Sequence, residues 1–132
     1  MKRVVVTGAS GQLGRAIVEA FGAGCEVTAL SRRDLDITDH AAVMRLIAGL
    51  RPDVVINCAA YNDVDGAEER AAEALNVNAF AVRSLARAAS EAGATFVHYG
   101  TDFVFDGETA RPYVEEDPPR PRSFYGSSKL IG

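Results

Sequence analysis

The stretch from Val4 to Gly14, VVVTGASGQLG, restricts the fold of this chain more than any other. Val4, Val5, Val6 and Thr7 are consecutive β-branched residues, a run that favours an extended strand buried on both faces. The run passes straight into Gly8, Gly11 and Gly14, spaced three apart, which lead an amphipathic segment from about Gln12 to Phe21. So short a link from strand to helix needs a backbone conformation open to glycine at its first position and close strand–helix packing at its last. Such a unit begins a right-handed crossover, and with it a parallel sheet.

The remaining chain repeats the pattern. Gly22-Ala23-Gly24 stops the first helix, and Cys25 to Leu30 reads as a second strand. Thr38 or Asp39 can cap a helix from Ala41 to Leu50, which Pro52 bounds. Asp53 to Ala60 is an almost continuous apolar run and a third strand. The alanine-rich stretch from about Gly66 to Ala92 reads as one long helix or two short ones, its charges forming a solvated face. Ala94 to Tyr99 makes a fourth strand, and Ser123 to Gly132 starts a last helix. Four strand–helix repeats in 132 residues imply one α/β domain over 1–132, a doubly wound parallel sheet with strand order 3-2-1-4. Ligands would bind at the switch between strands 1 and 4. Between them and the last helix, Asp106 to Arg122 carries Pro112, Pro118, Pro119 and Pro121, a loop long enough to act as a substrate lip.

Composition removes several function classes. A formal net charge of −4 does not suit a nucleic-acid partner. No apolar run approaches the roughly 20 residues needed to span a bilayer. The N-terminus enters a strand with no signal-peptide pattern, so the chain is expected to be cytoplasmic, with Cys25 and Cys58 as free thiols. No metal site is expected.

Within a doubly wound sheet, the glycine turn is a candidate phosphate cradle, Gly11 allowing a pyrophosphate to approach the main chain at a helix N-terminus. An ordinary glycine-rich turn is the competing reading. The residue closing the second strand reads the adenosine ribose: an acid binds the free hydroxyl and arginine accommodates a phosphate. Ser31 or Arg32 stands there, which tilts the chain toward NADP, while Asp34 keeps NAD open. Cys58, Ala59 and Ala60 are small enough to let a ring or ribose lie against the backbone. Asn76 and Asn78 are either supporting groups for such a site or exposed, and His98 reads as a satisfied core histidine. Tyr125 and Lys129 are four apart and share a helix face. A lysine cation beside a tyrosine stabilises the phenolate, so the pair suits proton donation to a carbonyl as hydride arrives at its carbon.

These residues resemble the dTDP-4-dehydrorhamnose reductase family of the extended short-chain dehydrogenase/reductases. The resemblance runs through TGASGQLG at 7–14, LDITD at 35–39, RPDVVINCAAY at 51–61, VDGAE at 64–68, NVNA at 76–79, TDFVFDG at 101–107, PYVEEDPPRP at 112–121 and YGSSKL at 125–130. It implies a Rossmann fold in which Gly8, Gly11, Gln12, Leu13 and Gly14 hold the pyrophosphate end. Asp36 and Ile37 would meet the adenine, and Ala59, Ala60 and Tyr61 the ribose near the nicotinamide. Thr101 would bond the substrate carbonyl, with Asp102 beside the sugar. Tyr125 would donate the proton and Lys129 would bind the nicotinamide ribose. The implied reaction is reduction of the keto group of a dTDP-linked 4-keto-6-deoxyhexose by NADPH or NADH, and the resemblance leaves room for a homodimer.

Three departures qualify that expectation. The family usually has serine where Gly100 stands and tyrosine where Phe103 stands, which puts the sugar in question. Phe103 also argues against the related dehydratases, which need a carboxylate there. The third is length: the later strands and the sugar-binding lobe of the family are not within these 132 residues, so the span is expected to carry an incomplete site. Another nucleotide-sugar epimerase or reductase and a non-catalytic dinucleotide-binding module are the competing readings. An intact Thr101, Tyr125 and Lys129 speaks against the module.

Overall fold

Strand β1, Lys2–Thr7, is the centre of the sheet, as its β-branched run requires. Val4 and Val6 are buried with Ile56 against Ile17 and Val18 of helix α1, Gln12–Gly22, on one face. Val5 is buried on the other face with Val55, Val43, Ile47 and Leu85. The computed structural model describes residues 1–132. Strands β2, Cys25–Leu30, β3, Val54–Asn57, and β4, Thr95–His98, all run parallel in the order β2-β1-β3-β4.

That order corrects the expected 3-2-1-4. The cause lies in helix α2, His40–Leu50, which packs with α5, Ala81–Glu91, on the face opposite α1. A right-handed crossover through a helix on the opposite face must travel in the opposite direction. The chain leaving β2 therefore passes back over β1 and lays β3 on its far side. The switch point lies between β1 and β3, not between the first and fourth strands. Leu35 and Ile37, on the link from β2 to α2, join the core without forming a strand.

Asp39, not Thr38, caps α2 by accepting from Ala42 N at 2.9 Å, and Arg51 ends the helix in the left-handed region at φ 49°. The third strand is shorter than its apolar run because the Asn57 side chain turns the chain, its Oδ1 accepting from Ala59 N at 3.1 Å. The alanine-rich stretch is one interrupted helical path. Arg70, at φ −113° and ψ 46°, separates α3, Gly66–Glu69, from α4, Ala71–Leu75. A π-helical turn, Asn76–Phe80, then leads into α5. Such turns hold one extra residue and recur at functional sites. No helix is long and apolar enough to cross a membrane.

Asp106 to Arg122 forms no helix or strand but is tied internally. Arg111 grips Asp117 through two bonds of 2.8 and 2.6 Å, and Tyr113 donates to Asp106 Oδ1 at 2.7 Å while stacking on Phe105. These partners hold both carboxyls below the usual carboxylate range. Helix α6, Phe124–Ile131, starts under two caps: Ser123 Oγ accepts from Gly126 N, and Glu68 of α3 accepts from Phe124 N at 2.7 Å.

Candidate active site

A cleft of about 490 Å³ lies beyond the carboxyl ends of β1, β3 and β4. Gly11, Gln12 and Leu13 form one wall, Cys58 to Ala60 the floor, and Tyr125 and Lys129 the other wall. A second hollow of about 270 Å³ continues past Gly11 and Ala59 to Gly8, Arg32, Asp36 and Ile37. The two share Gly11, Cys58, Ala59, Ala60 and Asn62, and so form one elongated groove across the switch point.

The glycine turn is built as its spacing requires. Gly8 has φ +67°, and a Cβ there would lie 2.5 Å from Ala59 N. Gly14 lines neither hollow; a Cβ on it would run into Gly8 O and the Ala9 Cα, so its part is helix–strand packing. Gly11 is exposed at the start of α1, where no side chain caps the helix. Its neighbouring amides are left for a ligand's oxygens.

Around Arg32, the Asp34 carboxylate accepts from Ser31 N at 2.8 Å and Ser31 Oγ at 2.5 Å. These bonds lower its pKa, commit Asp34 to its own turn and leave Arg32 as the basic residue from this link in the groove. Asp36 accepts from Thr38 Oγ1 and N, which likewise lowers its pKa. Tyr61 reaches only the second hollow, where its hydroxyl accepts from Arg70 Nε at 2.8 Å.

Tyr125 and Lys129 are both largely buried, at 9% and 8% exposure. Tyr125 packs edge-on against Phe103, with ring centroids 5.5 Å apart. Lys129 Nζ donates to Tyr99 O at 2.7 Å, and burial lowers its pKa. An ammonium has three donors, so two remain for a ligand. Thr101 is not brought onto the cleft wall. It caps the short 3₁₀ turn Asp102–Val104, its Oγ1 accepting from Phe103 N at 3.3 Å. Asp102 is exposed and borders a separate hollow beneath the proline loop, with Phe105 and Tyr113.

Of the two asparagines, Asn76 is exposed and Asn78 is buried. Asn78 Oδ1 accepts from Tyr61 N at 2.8 Å, and its Nδ2 donates to Tyr61 O at 3.1 Å and Ser128 Oγ at 3.0 Å. Ser128 Oγ donates to Tyr125 O at 2.7 Å, which links the groove floor to the helix bearing Tyr125.

His98 corrects an expectation. Its Nδ1 meets Asn57 Nδ2 at 3.1 Å, but its Nε2 is buried without a partner, and its ring lines the cleft. Sequence reasoning passed over the feature that marks it. Thr7, Asn57 and His98 are polar residues closing three apolar strands, and the parallel register sets them in one row. Burial, and then the Lys129 charge, hold the His98 pKa below 6.5. Below that value the unfolded chain takes up a proton that the folded chain refuses, so stability falls as pH drops through about 6.5. Denaturation midpoints at about pH 7 and 5 should show this loss in the parent and a smaller one in His98→Gln.

Comparison with known proteins agrees with this architecture. The family model for the RmlD substrate binding domain matches residues 1–132. The chain belongs to that family. RmlD-family relatives include a dTDP-4-dehydrorhamnose reductase of Burkholderia thailandensis, 43% identical over 130 residues, covering 98% of this chain and 44% of the relative. Another, from Streptomyces griseus, is 48% identical over 131 residues, covering 98% and 43%. The solved dTDP-4-dehydrorhamnose reductase of Clostridium acetobutylicum superposes with a TM-score of 0.95 at 44% identity, over 98% of this chain and 46% of that one. The Bacillus anthracis reductase, solved in complex with NADP, gives 0.94 at 37% identity, over 98% and 47%. The chain thus spans less than half the length of the RmlD-family reductases it matches.

Proposed function

We propose that this chain forms the dinucleotide-binding and proton-donating half of a cytoplasmic NADPH-dependent reductase acting on a dTDP-linked 4-keto-6-deoxy sugar. One observation carries the reading: Tyr125 and Lys129 face Gly11 to Leu13 across a single cleft floored by small residues. The groove fits a dinucleotide, with open backbone at Gly11, an uncapped helix start and an arginine at the far end.

In this reading the amides at the start of α1 hold the pyrophosphate. Arg32 meets the ribose phosphate, and Asp36 with Ile37 borders the adenine. Lys129 spends its two remaining donors on ribose hydroxyls. A bound nicotinamide supplies the hydride that reduces the ketone carbon. Tyr125 gives its hydroxyl proton to the ketone oxygen, so the carbonyl becomes an alcohol and the phenolate left behind is stabilised by the Lys129 ammonium. Thr101 and Asp102 lie outside this cleft, on the turn whose Phe103 packs against Tyr125, and would meet the sugar beyond it.

NADPH should bind the purified chain at least about tenfold tighter than NADH, a difference of about 1.4 kcal/mol that one arginine–phosphate contact can supply. Calorimetric titration measures both, and Arg32→Ala should bring the two affinities together. NADH binding as tightly as NADPH would overturn the role of Arg32, and no binding of either would overturn the reading.

A further inference from the structure

Gly126 follows Tyr125 in the first turn of α6 and is buried. Its backbone does not require a glycine, since the glycines at positive φ are Gly8, Gly93 and Gly107. Glycine weakens a helix, so what Gly126 contributes is the side chain it lacks. A Cβ there would run into the backbone oxygen of Phe103, and would lie 3.2 Å from the Phe103 carbonyl carbon and 3.1 Å from Pro121 Cβ. The turn Asp102–Val104 therefore sits on α6 backbone to backbone. Beside that contact the Phe103 ring meets Tyr125 edge-on.

What holds each of the two pieces decides which would give way to an added side chain. Helix α6 is buried at Tyr125, Gly126, Ser128 and Lys129. Tyr125 packs with Ala67 and Ala74, which have no exposed surface, Ser128 is tied to Asn78, and Glu68 holds Phe124 N. On the turn, Asp102 and Phe103 are exposed and border a hollow of about 440 Å³. The turn thus meets open space where the helix meets core, and its seat is set by how closely it can approach Gly126.

We propose that Gly126 is a positioning residue: by admitting the turn to backbone contact with α6, it sets how far Thr101, Asp102 and Phe103 stand from the Tyr125 hydroxyl. It thereby sets where a sugar's ketone lies when the proton is given. The inference rests on the reductase reading above. Gly126 lines neither hollow of the dinucleotide groove, so cofactor binding does not depend on it.

Gly126→Ala tests this on the whole chain. The turn should move outward while α6 stays, and a misplacement of about 1 Å costs about 10²-fold in rate. Nuclear Overhauser contacts between the Phe103 and Tyr125 rings should weaken, and NADPH affinity by calorimetry should stay within about threefold of the parent's. The maximal rate of reduction of a dTDP-linked 4-keto-6-deoxy sugar should fall about 10²-fold, with the half-saturating sugar concentration changed less than about fivefold. A glycine needed only for packing would lower the denaturation midpoint and leave ring contacts and maximal rate at parent values, which would overturn the proposal. Loss of NADPH binding by a folded variant would overturn it too, because α6 and not the turn would have yielded. If Gly126→Ala does not fold, Phe103→Gly loosens the same seat from the turn's side. That variant should show the same loss of rate with NADPH affinity kept, and a parent-like rate would overturn the proposal. A parent chain that binds NADPH but reduces no such ketone would instead remove the reductase reading, and this inference with it.

Discussion

Tyr125→Phe should lower the rate of ketone reduction about 10²- to 10⁴-fold, the usual contribution of a positioned general acid. Dinucleotide affinity should stay within about threefold, because the hydroxyl is needed only as charge develops on the ketone oxygen. The substitution removes one oxygen from a ring that packs against Phe103, Ala67 and Ala74, so the helix and its contacts persist. Single-turnover loss of nicotinamide absorbance with a dTDP-linked 4-keto-6-deoxy sugar reads the rate, and a calorimetric titration reads the affinity. A rate equal to the parent's would remove Tyr125 as the acid. A parallel loss of affinity would show instead that the cleft wall had moved.

The second large effect falls on folding. Gly8→Ala places a side chain at φ +67°, against a Cβ position 2.5 Å from Ala59 N and 2.7 Å from Ala59 Cα. The left-handed conformation costs about 1–2 kcal/mol, and an overpacked contact about 1–3 more. Both neighbouring segments are pinned, Cys58 N by Thr7 O and Ala59 N by Asn57, so neither can yield cheaply. A loss of about 2–5 kcal/mol in chemical denaturation is therefore expected. Gly11→Ala is the control, since its Cβ would meet only Gly8 O at 3.3 Å. That variant should melt near the parent yet bind NADPH more weakly, which separates the turn's structural glycine from its ligand-facing one.

Much of the fold was legible because its signals are local. The β-branched run, the glycine spacing and the Asp39 cap each specify backbone over a few residues, and each strand and helix formed close to where its pattern lay. Strand order was not legible. It depends on which face α2 covers, and nothing within α2 states whether Val43 and Ile47 will meet α1 or α5. The π-helical turn and the break at Arg70 escaped for a similar reason, since alanine-rich sequence favours continuous helix. Contacts with Tyr61, Asp63 and Ser128 over longer range accompany the departures. At the site, Tyr125 and Lys129 were legible because helical spacing places them together. Thr101 was expected on the same wall, but its hydroxyl serves the adjoining turn. His98 was misjudged because burial of a ring says nothing about each of its nitrogens.

The Asn78 bridge bears on how the molecule moves. One carboxamide holds both the N–H and the C=O of Tyr61, and through Ser128 it reaches the backbone of Tyr125. Tyr61, next to the floor, and the helix of Tyr125 are therefore tied through the same buried bonds. On the proposed reading, adenosine bisphosphate held on the floor should slow amide exchange in the helix of Tyr125 and Lys129, which hydrogen-exchange mass spectrometry reads.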